Sequence, residues 1–292
     1  MYRILIWGTG ETYNDYLNLI RCEEMKGSFE VVAITSNEDY IGKYLDGYQF
    51  VPKNELSECE YDFCLVAMKK CTMAEIRNEA SELGIPVEKM IPVRVLSIPY
   101  FDFNKYINLK KSNLSIISLN CWAGVVYHYL GLEFMSPTIN MFFRVEQFNK
   151  FAGDLNYYLR QPVRYKCMRF NQELHINYPV GLIDDIELHF NHTTDFELAV
   201  KLWNRRKQRV NYDNLLIVSY SEFDEEVVKE FEQLDFKSKI IFTALETKIP
   251  SAVRLNANDN GGIPMLATAW GNIPMFDLLE LAVHGENYIR IK

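Results

Sequence analysis

Residues 3–37 read "RILIWGTGETYNDYLNLIRCEEMKGSFEVVAITSN", and this stretch decides the fold class. It begins with "RILIWG", a continuous apolar run that ends in glycine and is typical of a buried parallel strand. The segment "ETYNDYLNLIRCEEM" has the spacing of an amphipathic helix, and "FEVVAITSN" follows as a second strand. A strand, a helix and a strand with short connections predict a parallel sheet with right-handed crossovers.

The same alternation continues along the chain. "YDFCLVAM", "MAEIRNEASELG" and "KMIPVRVL" extend the first series, and "LSIISLNCW" begins a second one. We interpret the polar, aperiodic stretch "PYFDFNKYINLKKSN" between them as a linker. The sequence therefore predicts an α/β protein with two Rossmann-like three-layer domains and mainly parallel sheets. The first domain is expected to comprise residues 1–110 and the second residues 111–292.

Composition and charge narrow the class of protein. The chain has 292 residues, of which 48% are hydrophobic and 24% charged, as in ordinary globular domains. Because 39 acidic residues outnumber 31 basic ones, we expect no nucleic-acid partner. The six cysteines form no C-x-x-C pair and no metal-ligand spacing, which favours free thiols in a reducing compartment. No stretch approaches the roughly 20 apolar residues of a transmembrane helix, so we expect a cytoplasmic protein.

Gly8 and Gly10 lie in the turn "GTGETY" between the first strand and the first helix. A glycine pair there can hold a phosphate on backbone amides, or it can simply form a tight turn. Tyr13 stands where a dinucleotide fingerprint needs a small residue, and no carboxylate ends the second strand to hold a ribose. We therefore predict cofactor contacts, if any, at Gly8 and Gly10 and no tight NAD binding. The sequence identifies no cofactor.

The stretch "DDIELHFNH", residues 184–192, combines carboxylates with histidines. If it forms one strand, Asp185, Glu187 and His189 share a face. This pattern fits a solvated strand face, a metal site, or a catalytic base whose imidazole is oriented by a carboxylate. We predict no metal, because no second group of ligands is in register. Our site hypothesis takes His189 as the base and Asp185 as its orienting group, with His192 just beyond the strand.

A basic group follows on the next helix, near its C-terminus. Arg205, Arg206 and Arg209 there can compensate the helix dipole, or their forked donors can bind a phosphate or carboxylate. Asn211 in the following loop is expected at the same edge. We hypothesise that these arginines approach His189 and form one shared site.

The stretch "LNCWAG" follows the first strand of the second domain, at the carboxyl end where open α/β sheets bind ligands. Asn120 is interpreted as an orienting group and Trp122 as a stacking wall. Cys121 is either simply packed or a nucleophile activated by His189.

Three ordered blocks, "SLNCWAGVVYHYLGLEFMSPT", "YPVGLIDDIELHFNH" and "LWNRRKQRVNYDNL", resemble a known bacterial family. Its members are grouped under a domain of unknown function and commonly labelled exopolysaccharide biosynthesis proteins. The resemblance covers roughly residues 113–245, and residues 1–100 resemble the Rossmann-like modules that precede various cell-surface sugar enzymes. The matching positions are Asn120, Cys121, Trp122, Ser136, Pro137, Thr138, Tyr178, Pro179, Asp185, His189, His192, Trp203, Arg205, Arg206, Arg209 and Asn211.

The resemblance implies a role in cell-surface polysaccharide biosynthesis but no reaction. We expect a transferase that acts on an activated sugar or acyl donor, with Ser136, Thr138 and His192 among its substrate-binding residues. The alternative is a non-catalytic protein that senses a nucleotide or sugar nucleotide through its first domain. A metal-dependent hydrolase is a third interpretation. In the first two cases the partner is a small sugar- or nucleotide-type molecule.

Overall fold

The computed structural model confirms an α/β protein with two parallel-sheet cores flanked by helices. The chain divides into two compact units, residues 1–104 and residues 105–292. The structure describes residues 1–37, 42–68, 73–172, 174–257, 265–269 and 277–284.

The first unit contains one four-stranded parallel sheet in the order β2-β1-β5-β6. Its elements are β1 (Tyr2–Trp7), α1 (Glu11–Met25), β2 (Phe29–Thr35), β3 (Tyr44–Leu45), β4 (Tyr48–Gln49), β5 (Phe63–Val66), α2 (Met73–Glu82) and β6 (Met90–Pro92). The apolar run that predicted β1 is buried along its whole length from Ile4 to Trp7. This burial is expected for a central parallel strand with helices on both faces.

The second unit combines a four-stranded parallel sheet, in the order β13-β12-β11-β7, with a three-stranded antiparallel sheet, β10-β9-β8. Its elements are β7 (Ser115–Ser118), α4 (Trp122–Leu130), α5 (Val145–Gly153), α6 (Leu155–Arg160), β8 (Arg164–Asn171), β9 (Ile176–Ile183), β10 (Ile186–His189), α7 (Phe196–Lys207), β11 (Leu215–Tyr220), α8 (Glu225–Glu232), β12 (Lys239–Thr243), β13 (Ala252–Arg254), α9 (Met265–Thr268) and α10 (Leu278–His284).

The stretch interpreted as a linker contains a helix, α3 (Phe103–Lys111). Phe103, Tyr106 and Ile107 are buried at the i, i+3 and i+4 spacing of one helix face. Because polar residues stand between these positions, the helical periodicity was not recognised in the sequence. The division between the units falls inside α3, whereas the sequence placed the domain boundary after residue 110.

The predicted single strand around "DDIELHF" is in fact a hairpin. β9 and β10 pair antiparallel, Ile183 lies opposite Ile186, and the two aspartates between them form the turn. Asp184 has a φ of 54°, in the left-handed region that a tight hairpin turn requires. Asp185 is therefore outside the strand, and only Glu187 and His189 share its polar face.

A hydrophobic core fixes the hairpin against the parallel sheet of this unit. Phe148 and Phe151 of α5 pack with Leu188 of β10, Trp203 of α7 and Ile217 of β11. The backbones of Phe142 and His189 exchange two hydrogen bonds of 3.0 Å, which join the segment before α5 to β10. These contacts bring three separate parts of the sequence to the carboxyl end of β7.

Candidate functional site

A cavity of about 510 Å³ lies at the carboxyl ends of β7 and β11. This is the edge at which open α/β sheets bind their ligands. Its walls come from the turns after β7 and β10, the start of α5 and the end of β11. The lining residues are Leu119, Asn120, Cys121, Phe142, Phe143, Arg144, Val145, Glu146, Asn191, Tyr220 and Leu266.

Cys121, in the wall of this cavity, forms a thiol–imidazole pair with His192, which lines a second, smaller cavity. The Cys121 Sγ lies 3.1 Å from His192 Nε2 and 3.8 Å from the carbonyl oxygen of Met141. Burial raises the pKa of the Cys121 thiol to about 11, and desolvation lowers the pKa of the His192 imidazole. The resting pair is therefore a neutral thiol beside a neutral imidazole, which can accept the thiol proton. The sequence analysis had suggested His189 as the partner of Cys121. The histidine that contacts Cys121 is instead His192.

A charged side chain and two asparagines complete the polar part of the cavity wall. Arg144, at the N-terminus of α5, supplies a cation whose Nε lies 3.3 Å from Glu187 Oε2. The Asn191 Oδ1 is buried and has no hydrogen-bond partner within the described ranges. Asn120 is held in place, because its Oδ1 accepts from the Trp122 amide and its Nδ2 donates to Met265 Sδ. The cavity wall thus combines a thiol, an ion-paired guanidinium and a buried acceptor that has no partner among the described residues.

His189 lies beside this cavity in a closed polar cluster. Its side chain is almost fully buried, its ring stacks on Phe142 at 4.5 Å, and Tyr178 Oη lies 3.3 Å from Nδ1. Its Nε2 is 3.0 Å from Oε2 of Glu187. Burial lowers the pKa of His189 to about 4, although the negative charge of Glu187 acts to raise it. His189 is therefore a neutral, rigidly held imidazole.

Glu187 is the centre of this cluster, which we call the Glu187 cluster: Glu187, His189, Arg144, Lys166 and Arg169. The carboxylate is 5% exposed and forms ion pairs with Lys166, with Arg169 Nη2 at 3.4 Å and with Arg144. Burial alone would raise the pKa of Glu187, but the Lys166 hydrogen bond and the three positive charges together lower it. Two of these cations lie on β8, a strand that the sequence analysis did not identify.

The carboxylate next to His189 is Glu187, so the expected pairing of Asp185 with His189 is wrong. In the hairpin turn, the Asp185 side chain is 53% exposed and forms an ion pair with Lys150. The Lys150 hydrogen bond lowers the pKa of Asp185, and Tyr158 Oη lies 3.3 Å from the same carboxylate. The structure thus places Asp185 on the surface beside α5 and α6.

The three arginines at the end of α7 and in the turn that follows it do not act as one group. Arg205 is exposed, while Arg209 donates to the carbonyl oxygen of Phe134 and forms a 2.8 Å ion pair with Glu133. Arg206 is buried and lines a second, smaller cavity. The cations on the Glu187 cluster come from β8 and the start of α5 instead, so the contacts of the described residues do not form the predicted shared site.

Asn211 lies at the opposite end of β7 from Cys121. Its backbone amide donates to Ser115 Oγ, on the first residue of that strand, at 2.8 Å. Since β7 has four residues, its two ends are roughly 10 Å apart. The structure therefore separates Asn211 from the cavity.

Three other predicted ligand residues are buried in the wall behind the cavity. Trp122 is fully buried and its Nε1 donates to Thr268 Oγ1 at 2.7 Å, so its ring packs in the core and forms no stacking wall. Thr138 Oγ1 accepts from the Ser118 amide, and Ser136 Oγ lies 3.0 Å from it. Ser136 and Thr138 thus hold their loop against β7.

The first unit has its own cavity, of about 290 Å³, at the carboxyl ends of its strands. Its walls include Gly8, Gly10 and Asn37. Gly8 has a φ of +118°, and a Cβ there would lie 2.6 Å from the carbonyl oxygen of Ala67, so backbone packing alone requires this glycine. Tyr13 is buried, and its hydroxyl donates to Asp46 at 3.0 Å.

Among the described residues, no three His, Cys, Asp or Glu side chains are grouped so that they could hold a metal ion. Within the same part of the chain, no helix has the length and apolar character needed to cross a membrane.

Comparison with known proteins gives the family. Residues 1–91 match a family described as C2185-like, N-terminal, and residues 93–270 match the domain of unknown function DUF1919. An uncharacterized protein from Haemophilus influenzae is 31% identical over 147 residues, which cover 49% of this chain and 68% of that relative. The DUF1919 match includes the cavity, the Cys121–His192 pair and the Glu187 cluster, and it extends over more than half of the chain. The chain belongs to the DUF1919 family.

Proposed function

We propose that the chain is a transferase in bacterial cell-surface polysaccharide biosynthesis that moves an acyl group from an activated donor. The observation that carries this proposal is the 3.1 Å contact between His192 Nε2 and the Sγ of Cys121, a residue in the wall of a 510 Å³ cavity. A thiol with an adjacent base forms thioesters readily, which favours an acyl donor over an activated sugar. The polysaccharide context rests on the resemblance of the three sequence blocks.

The reaction needs two matched steps. In the first, the Cys121 proton moves to His192 as the sulfur attacks the donor carbonyl carbon, and the donor leaving group departs with that proton. In the second, an acceptor hydroxyl gives its proton to His192 and attacks the thioester. The sulfur then departs and recovers the proton, so that the resting pair is restored.

The rest of the cavity offers hydrogen-bonding groups to a polar donor. Arg144 and the first amides of α5 supply donors at one wall, where Arg144 is paired with Glu187 and with Glu146, itself a lining residue. The unpartnered Asn191 Oδ1 can accept a hydrogen bond from a hydroxyl group of either substrate. Because the Cys121 thiol has a raised pKa, the general base is essential in this proposal, and His192 is the base in contact with it.

The test is capture of the thioester on the full chain. After incubation with a panel of acyl-coenzyme A thioesters, intact-mass spectrometry and peptide mapping should find an acyl adduct on Cys121. His192→Gln should slow its formation by about 10²-fold, the lower range for loss of a general base. Cys22→Ser, which removes an exposed thiol on α1, is the matched control and should retain the wild-type rate. Adducts that form equally on Cys22 and Cys121, or on neither, would contradict the proposal.

A second candidate function is supported by the cavity in the first unit. Gly10 lies at the start of α1, and a Cβ there would meet nothing within 4 Å, so a phosphate could approach the helix amides. A sensor of sugar nucleotides would show a raised melting temperature with these ligands but no turnover with any acceptor. NAD should not bind at micromolar concentration in calorimetry, because the carboxyl end of β2 carries Ser36 and Asn37 in place of a carboxylate.

A further inference from the structure

A small cavity of about 60 Å³ lies between α7 and the turn that follows β10. Arg206 and Trp203 of α7 form one wall, and His192 and Thr193 form another. The space is several times the roughly 10–15 Å³ needed for one water molecule. It can therefore hold a small polyatomic group and excludes a whole sugar or nucleotide.

Two donor groups of the residues that line this cavity have no acceptor among the described residues. Arg206 is 8% exposed, its Nη1 donates weakly to the Ile139 carbonyl oxygen at 3.4 Å, and its guanidinium lies 5.3 Å from the centre of the Phe134 ring. Its Nε and the Trp203 Nε1 are both buried without a hydrogen-bond partner in the described part of the chain. Two unpaired buried donors beside one cavity are unfavourable unless a ligand or water satisfies them.

Among the residues that the structure describes, no carboxylate forms an ion pair with Arg206. Burial lowers its pKa to about 10, and the neighbouring charges that act on it are those of Arg205 and Arg209, which have the same sign. Arg209 has Glu133 as a partner, whereas the described contacts of Arg206 are a carbonyl oxygen and an aromatic ring. The guanidinium is still charged at neutral pH, so the cavity favours an anion.

We infer that this cavity binds one small oxyanion, a phosphate or carboxylate group, on Arg206 and the Trp203 indole N–H. A forked guanidinium matches two oxygens of such a group, and the indole supplies a third donor. His192 lines the same cavity while its Nε2 contacts Cys121, so the bound group would lie next to the proposed nucleophile. The inference goes beyond the proposed function, because oxyanion binding is measured without any turnover.

The test uses the indole N–H signals of the full, ¹⁵N-labelled chain. Inorganic phosphate, acetate and glucose 1-phosphate are titrated separately, and the Trp203 signal is assigned with Trp203→Phe. The Trp203 signal should move downfield and saturate, whereas the Trp122 signal should stay fixed because that N–H already donates to Thr268. If glucose 1-phosphate binds at least tenfold tighter than phosphate, the oxyanion belongs to a larger ligand. Equal affinities identify a free ion.

Two arginines that differ by one position give a matched pair. Arg206→Gln should weaken binding by about tenfold or more, as expected for loss of a charge-assisted hydrogen bond. Arg205→Gln removes the same charge from an exposed position and should change affinity less than twofold. If Arg206→Gln does not fold, the wild-type titration alone decides. A Trp203 signal that does not saturate in the millimolar range, or equal losses in both variants, would overturn the inference.

Discussion

At the scale of single residues, Glu187 organises the polar interior of the second unit. One buried carboxylate compensates three cations and also contacts the His189 imidazole. Each cation is between 39% and 42% exposed, so it can still reach solvent, whereas the carboxylate cannot. Removing the Glu187 charge should therefore destabilise the fold mainly because the three cations around it lose their common counter-ion.

We expect Glu187→Gln to lower the free energy of unfolding by roughly 2 kcal/mol. The amide keeps the volume of the side chain but leaves Lys166, Arg169 and Arg144 without their common counter-ion. Asp185→Asn is the matched control, and its exposed ion pair should contribute less than about 0.5 kcal/mol. Urea unfolding of both variants measures the difference. A larger loss for Asp185→Asn than for Glu187→Gln would restore Asp185 as the important carboxylate.

The sequence could identify His189 as part of a polar face but could not select its partner. Alternation places Glu187 and Asp185 on the same side of any continuous strand, whereas a turn at Asp184 and Asp185 removes only Asp185 from that face. The Cys121–His192 contact joins residues 71 positions apart. Helix and strand periodicity relates only residues that are close in sequence. The pair is therefore recognised only from the folded arrangement of β7 and β10.

At the scale of elements, the β9–β10 hairpin was missed because its turn lacks glycine. Two-residue hairpin turns usually contain Asn-Gly or Asp-Gly, and "IDDI" has neither. β8 was missed because Lys166 and Arg169 obscure its apolar positions. By contrast, β1, β7 and β11 are short apolar runs, and their burial follows directly from composition.

The turn makes a testable prediction about Asp184. Asp184→Gly and Asp184→Ala both remove the hydrogen bond that Tyr157 donates to this carboxylate, but only alanine keeps a Cβ at a φ of 54°. We therefore expect the glycine variant to be more stable than the alanine variant by about 1 kcal/mol. Thermal or urea unfolding measures the gap. At Asp185, whose φ is not positive, alanine should be at least as stable as glycine, and the same preference for glycine there would contradict the explanation.

At the scale of the whole molecule, the two units carry separate cavities and match separate families. The family matches meet near residue 92, and the structural division follows shortly after, inside α3. This division falls inside the stretch that the sequence analysis interpreted as a linker, whose helix was not predicted because the polar residues of α3 conceal its buried face. Each cavity is nevertheless formed by residues of its own unit alone.

This separation predicts that a lesion in the first unit leaves the chemistry of the second unchanged. Gly8→Ala places a Cβ against the carbonyl oxygen of Ala67 at a strained φ, and we expect it to cost about 2 kcal/mol or more in calorimetry. Gly10→Ala meets open space and should cost less than about 1 kcal/mol. In both folded variants, the alkylation rate of Cys121, followed by peptide mapping, should equal that of the wild type. A slower Cys121 in Gly8→Ala would mean that the first unit controls the thiol site, and similar costs at Gly8 and Gly10 would remove the packing argument.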